Sequence, residues 1–213
     1  MQLSFAEKKA EEATKLPAFP VNFHKVRSHV ETVLTEWKTS GFFQEYTDHS
    51  FIHVRDMLQT VEWLIPPETQ SEMTSADWFM LVLAIYFHDM GLIITRAEFE
   101  GRYKDPDFKT FLDNPILAAE KHAQFLAKLA SLPADVAERL RYEEYVRFSH
   151  GKRVRAWLEG GSAFEDTLSP MRDILEELVR PLDPTIRRDL ALLCESHTLN
   201  GIENTTIYKT SQP

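Results

Sequence analysis

The sequence predicts an all-α fold class, a single compact multi-helix domain, and three observations predict it. Apolar residues recur at three- and four-residue intervals in one segment after another, the spacing that gives a helix one buried face. No segment of any length alternates apolar and polar residues as a half-buried strand does. Prolines and glycines fall between these segments, at Pro17, Pro20, Gly41, Pro66-Pro67, Pro115, Pro133 and Gly160-Gly161, and so divide the chain into separate helices.

Composition bounds the function. The 213 residues, 43% hydrophobic and 27% charged, suffice for one sizeable core. A net charge of -9, from 33 acidic and 24 basic residues, argues against an extended nucleic-acid surface that works by neutralising phosphates. It leaves room for a small phosphate-bearing ligand in a locally basic pocket. Cys194 is the only cysteine, so there is no internal disulfide framework, and the composition fits a reducing compartment. The first residues hold no apolar signal core. The longest apolar run, Trp78 to Phe87, is too short to span a bilayer. The expectation is a soluble cytoplasmic protein that engages no membrane.

Taken in order, the elements are these. Leu3 to Leu16 is charged and helix-prone, and with its breakers it makes an N-terminal helical arm over 1–20. Residues 21–200 form the main domain. Val26, Val30, Val33, Leu34 and Trp37 give a helical stripe between Val21 and Lys38. His24 and His29 lie on it without an acidic partner at ligand spacing, and read as surface or packing residues. Phe42 to His53 is a loop leading into a helix that runs through Val54, Leu58 and Val61 to Ile65, where Pro66-Pro67 stops it. Thr74, Ser75 and Asp77 open the next helix, buried on all sides, with Gly91 as its cap. Leu92 to Asn114 reads as a long loop with short helical pieces, a lid by its length. Tyr103 and Phe108 within it are placed to reach a ring of a ligand. Pro115 opens a helix over 116–132, and Pro133 and Asp135 open another through Tyr145 and Phe148; after His150 and Gly151, Val154, Trp157 and Leu158 continue a helical face to Gly160-Gly161. A last helix runs from Pro184 to His197. Residues 201–213 form a polar tail, expected to lead to an absent C-terminal region.

Four places put histidine next to a break in an apolar helix: His49/His53, His88-Asp89, His150 and His197. An imidazole and a carboxylate leaving the core together are costly to bury without compensation. A divalent cation supplies it. Imidazole plus carboxylate suits first-row divalent metals, and a shared carboxylate such as Asp89 can hold two. The expected cofactor is one or two ions of Mn, Fe, Ni, Co, Zn or Mg. Position 50 is Ser50, so the glutamate base of a zincin helix is absent between His49 and His53. No histidine has a glutamate three positions before it, so the di-iron bundle pattern is absent too. His49 is either a proton-donating group beside the metal or a loop cap. Arg147, Lys152 and Arg153 flank His150, and Arg55 follows His53. These four are candidates to hold a substrate phosphate, or to pair with nearby carboxylates on the surface. Cys194 reads as a core residue.

These residues resemble the HD superfamily of metal-dependent phosphohydrolases. The matching segments are Asp48-His49-Ser50-Phe51-Ile52-His53-Val54 and Leu83-Ala84-Ile85-Tyr86-Phe87-His88-Asp89-Met90-Gly91. His150 after Arg147-Phe148-Ser149, and His197 after Leu193-Cys194-Glu195-Ser196, match less tightly. The resemblance implies a helical domain with a mono- or dinuclear metal site that hydrolyses phosphoesters, often of nucleotides. It makes His53, His88 and Asp89 ligands of a first metal, and His150 and His197 ligands of a second or contacts to phosphate. Asp89 and His49 are the candidate catalytic residues. One departure stands out. The family closes the first site with an aspartate on a later helix, and nothing after His197 offers one; Asp183 and Asp189 precede it. The leading expectation is a phosphohydrolase acting on a nucleotide or cyclic nucleotide. Its rivals are an incomplete HD domain serving as a metal- or nucleotide-binding sensor or interaction module of a larger protein, and a structural helical domain without metal. The partner expected is a small nucleotide-like molecule, and a homo-oligomer or a further domain is compatible with the acidic surface.

Overall fold

Side-chain caps set where the helices of this chain begin. The computed structural model describes residues 2–40, 50–113, 119–160 and 169–199. The Ser4 hydroxyl accepts from the Glu7 N–H while the Glu7 carboxylate accepts from the Ser4 N–H, opening α1 (Phe5–Ala13). α2 (Phe23–Ser40) follows. Ser50 caps α3 (Phe51–Leu64) by accepting from the Ile52 N–H. Pro66-Pro67 ends that helix, yet Pro67 also starts the short α4 (Pro67–Glu72), where a first-turn proline loses no hydrogen bond. Thr74 and Asp77 form a second reciprocal box at α5 (Ser75–Phe87). After a 3-10 turn at Met90–Leu92 come α6 (Arg96–Gly101), a second 3-10 turn at Arg102–Lys104, and α7 (Pro106–Asp113). Then follow α8 (Ala119–Ala130), α9 (Ala134–Leu158), α10 (Ser169–Ile174), a π turn at Leu175–Val179, and α11 (Pro184–Ser196), capped by Asp183. No strand occurs among the described residues, and the domain is compact and all-α.

α5 is the axis of the domain. Trp78, Phe79, Val82, Leu83, Ile85, Tyr86 and Phe87 are all buried, around its whole circumference. Burying each such side chain is worth about 2 kcal/mol, so the segment that carries His88 and Asp89 is anchored over three turns. α1 lies along α5, with Ala6, Ala10 and Ala13 allowing close approach and Phe5 edge-on to Trp78. α3 and α11 also pack on α5, α11 packs on α9, and α9 packs on the Met90–Leu92 turn. These contacts bring the ends or flanks of α3, α5, α9 and α11 to one place.

A buried polar triad ties three helices together beneath that place. The Tyr86 hydroxyl donates to Glu7 Oε1 at 2.5 Å, and Arg27 Nε on α2 donates to the same oxygen at 2.8 Å. Burial pushes the Glu7 carboxyl up, but the bonds from Tyr86, the Ser4 backbone and Arg27 outweigh it and hold the group below the usual carboxylate range.

The structure corrects several expectations. α9 does not break at His150-Gly151; it runs unbroken for 25 residues. Gly91 is not a left-handed cap. α5 ends in the right-handed conformation at His88, and among the described residues only Gly160 has positive φ. Phe108 is fully buried, edge-on to Tyr142, and is not available to a ligand. Residues 169–179, unassigned from sequence, form α10 and its π turn against α2. Among the described residues no single helix is long and apolar enough to cross a membrane.

Candidate metal centre

Four histidines from four elements converge on Asp89. His53 comes from the first turn of α3, His88 from the end of α5, His150 from α9, and His197 from the residue that caps α11. His88 Nε2 lies 2.8 Å and His53 Nε2 3.9 Å from Asp89 Oδ2. His150 Nε2 lies 3.6 Å and His197 Nε2 3.9 Å from the other oxygen, Oδ1. Two groups result, His53/His88/Asp89 and Asp89/His150/His197, each with its ligand atoms within 4.8 Å of one another. Asp89 is common to both and presents a different oxygen to each. Its side chain is 13% exposed, against 39% for His53 and 33% for His197, so the cluster is shielded at Asp89 and open at its edges.

The tautomers follow from the backbone. His88 Nδ1 lies 2.9 Å from the Ile85 carbonyl, His150 Nδ1 2.5 Å from that of Arg147, and His197 Nδ1 2.6 Å from that of Cys194. A carbonyl oxygen only accepts, so Nδ1 carries the proton in all three rings. In the neutral ring Nε2 is then a bare lone pair, the arrangement of a metal-ligating histidine steadied by a backbone acceptor. His150 Nε2 and His197 Nε2 stand 2.7 Å apart. Two lone pairs at that distance repel unless a positive charge sits with them. This is the observation on which the cluster fits a metal ion: in the neutral rings the facing Nε2 atoms of His150 and His197 converge with no proton between them.

The electrostatic surroundings of the rings agree with that reading. Burial pushes the His150 and His197 imidazoles down, and the charges of neighbouring histidines add to the effect, so both favour the neutral, ligating form. Burial acts on His88 as well, but the hydrogen bond and charge of Asp89 outweigh it and raise its pKa above the ordinary imidazole value. Asp89 thus gathers positive charge onto its own side of the cluster.

Two glycines let the elements close on one another. A Cβ on Gly91 would fall 2.9 Å from the His150 Cα and closer still to its carbonyl. A Cβ on Gly151 would fall 2.9 Å from Thr198 Cγ2 and 3.1 Å from the Glu195 carbonyl oxygen. Both positions therefore exist for close approach of backbones. Sequence reasoning read one as a cap and the other as a break; a helical pattern running on through Val154 and Trp157 was the signal that Gly151 lies inside a helix.

The predicted cations are placed as follows. Arg153 is largely buried, with Nε donating to the Gly91 carbonyl at 2.7 Å, Nη2 to the Ile93 carbonyl at 3.1 Å, and Nη1 to Glu98. That placement replaces the expected phosphate contact: Arg153 grips the turn that follows Asp89. Lys152 Nζ is 2.5 Å from Asp107. Arg147 is 3.7 Å from Glu144, and Arg55 is exposed on α3. His49 lies outside the described residues. Asp183 caps α11, and Asp189 pairs with Arg188 at 3.2 Å; neither belongs to a ligand group. His24 pairs with Glu11, and Cys194 is buried in the core.

A family model described as HD-CE matches residues 43–213. That span contains all five clustered side chains. Comparison with curated proteins and with solved structures gave no match.

Proposed function

This chain belongs to the HD-CE family, an HD-like domain family, and from that premise we propose that it is a metal-dependent phosphohydrolase acting on a phosphoester of a nucleotide or cyclic nucleotide. The observation that carries the proposal is Asp89 standing between two histidine pairs, one on each carboxylate oxygen. Each group offers three protein ligands. Structural metal sites are closed by four, whereas catalytic ones keep a position for substrate. When bound, a divalent cation supplies positive charge against the phosphoryl oxygens and acidifies water. The metal is one or two of Mn, Fe, Co, Ni, Zn or Mg.

The chain's own residues do the rest. Backbone carbonyls hold His88, His150 and His197 in the tautomer that presents Nε2. The buried body of α5 fixes Asp89 and keeps bulk water from its inner side. Arg55, Arg147 and Lys152 are the cations left to meet a substrate phosphate, and His49 is the candidate proton donor. The test is elemental analysis of the purified chain beside Asp89→Ala, followed by a nucleotide phosphoester screen with the metal found. One or two equivalents lost in the variant, with phosphate released only by the unaltered chain, is the expected result. No metal in either protein after Mn is supplied overturns the proposal.

A second reading has its own support. Among the described residues no later aspartate joins either group, so a metal- or nucleotide-binding sensor module is the rival. Saturable nucleotide binding without turnover separates it from the hydrolase.

A further inference from the structure

We propose that Arg153 is a positioning residue that assembles the Asp89/His150/His197 group, and that without it this group, and not the His53/His88/Asp89 group, loses its ion. The inference rests on the metal-site reading given above. Arg153 is on α9, one turn after His150, so it belongs to the element that carries the second histidine pair. Its guanidinium reaches across to the Gly91 and Ile93 carbonyls, the backbone that immediately follows Asp89. A planar fork holds two carbonyls in one fixed geometry; an ammonium has three donors but is a single point charge on a flexible stem and does not fix their spacing. Glu98 on α6 takes the remaining edge and balances the charge.

The geometry makes the effect selective. His88 and Asp89 are consecutive residues at the end of α5, and His53 sits on α3, which packs directly on α5. His53 and His88 are set by α3 and α5, and of this group only Asp89, which both groups share, borders the α9 contact. The His150–Asp89 approach of 3.6 Å depends on α9, because it spans from α9 to the turn. Two contacts set that span: the backbone of His150 against Gly91, which stops the elements from coming closer, and Arg153, which stops them from parting. Tyr142, three turns before Arg153 on α9, donates to the same Glu98 at 3.3 Å, so α6 is held to α9 as well.

The experiment compares the full chain with Arg153→Met, Arg153→Lys and the double variant Arg153→Met/Glu98→Met. The double variant removes both charges of the buried pair, so that no carboxylate is left uncompensated and folding is preserved. Metal equivalents are counted after loading with Mn, and hydrogen exchange is followed at the Leu92 and Ile93 amides, which close the turn onto Asp89 and Met90. The expected result is two equivalents in the unaltered chain and one in all three variants, with the two amides exchanging about tenfold faster. Two equivalents retained in the double variant overturn the inference, as does full recovery by lysine, which would reduce Arg153 to a counter-charge for Glu98. An unaltered chain that binds no metal refutes the metal-site reading instead. The inference then stands or falls on the exchange of the two amides: faster in the variants supports it, unchanged refutes it.

Discussion

Gly91→Ala adds a single methyl group, and its cost can be worked from what that group meets. The new Cβ falls 2.8 Å from the His150 carbonyl carbon and 2.9 Å from its Cα, where ordinary contact begins at 3.4 Å. The neighbour is backbone in the middle of a 25-residue helix, so no rotamer change relieves the overlap. The turn and α9 must part by roughly 1 Å, and misplacement on that scale costs a positioned site on the order of 100-fold. Overpacking of this kind also costs about 1–3 kcal/mol of stability. For a domain of this size that lowers Tm by roughly 2–4 °C per kcal/mol. Thermal unfolding and Mn titration measure the two effects, and Gly101→Ala is the matched control. Gly101 has φ -83° and nothing within 4 Å of the added Cβ. There alanine should be neutral or stabilising by up to about 1 kcal/mol. If Gly91→Ala behaves like Gly101→Ala in both assays, the close approach of the turn to His150 does not hold the site together, and the reasoning fails.

Two further outcomes follow from buried groups. The Glu7 carboxyl is held below its ordinary value near 4.5, so its contribution is fully present above that value and is lost as pH falls through the depressed one. Urea unfolding between pH 3 and 7, as a working range of roughly four units around that value, should therefore show an acid-side loss of stability that Glu7→Gln flattens. That variant should also lose about 3 kcal/mol at neutral pH by leaving the buried Arg27 with only the more exposed Glu31, 3.3 Å away, as counter-charge; an unchanged urea midpoint would contradict the triad's role. Cys194 is buried and its thiol is pushed far up by burial, so a disulfide reagent should label it only as fast as the domain unfolds. Rapid labelling of the folded chain would place it nearer the surface than the fold does.

The helical class and the five clustered side chains were legible because each leaves a local mark. Trp78 to Phe87 is apolar at every position, which only an all-round buried helix explains, and His88-Asp89 at its end is a pair the core would reject without a purpose. Met171, Ile174, Leu178 and Leu182 are likewise spaced as a helical stripe and are all buried, but neighbouring proline and acidic residues obscured it. What sequence could not carry is tertiary. Nothing in Arg153 distinguishes a guanidinium facing solvent from one gripping two carbonyls some sixty residues away. Gly151 looks like a helix end because glycine usually is one there; its reason is Thr198, a contact between elements. Gly91 fails in the same way, since a cap and a close approach demand the same residue.

Among the described residues no later aspartate joins the cluster, and that has a physical meaning beyond a gap in a pattern. One carboxylate and four imidazoles of those residues face whatever cations the cluster would hold. Neutral imidazoles bring no charge, so two dications balanced by Asp89 alone leave roughly +3 in a partly shielded site. A second aspartate would remove one of those charges. Without it the loaded site has more need of an anion, and phosphate, with its several negative oxygens, is a natural partner. On the proposed reading, the same excess charge that would draw a phosphoester in would also hold the released phosphate, so affinity and turnover would pull in opposite directions. The hydrolase and sensor readings are therefore two outcomes of one electrostatic fact, divided by whether product leaves faster than substrate reacts. If Arg147 and Lys152 meet the phosphate as proposed, their ion pairs with Glu144 and Asp107 leave them less charge to hold it, which would favour release.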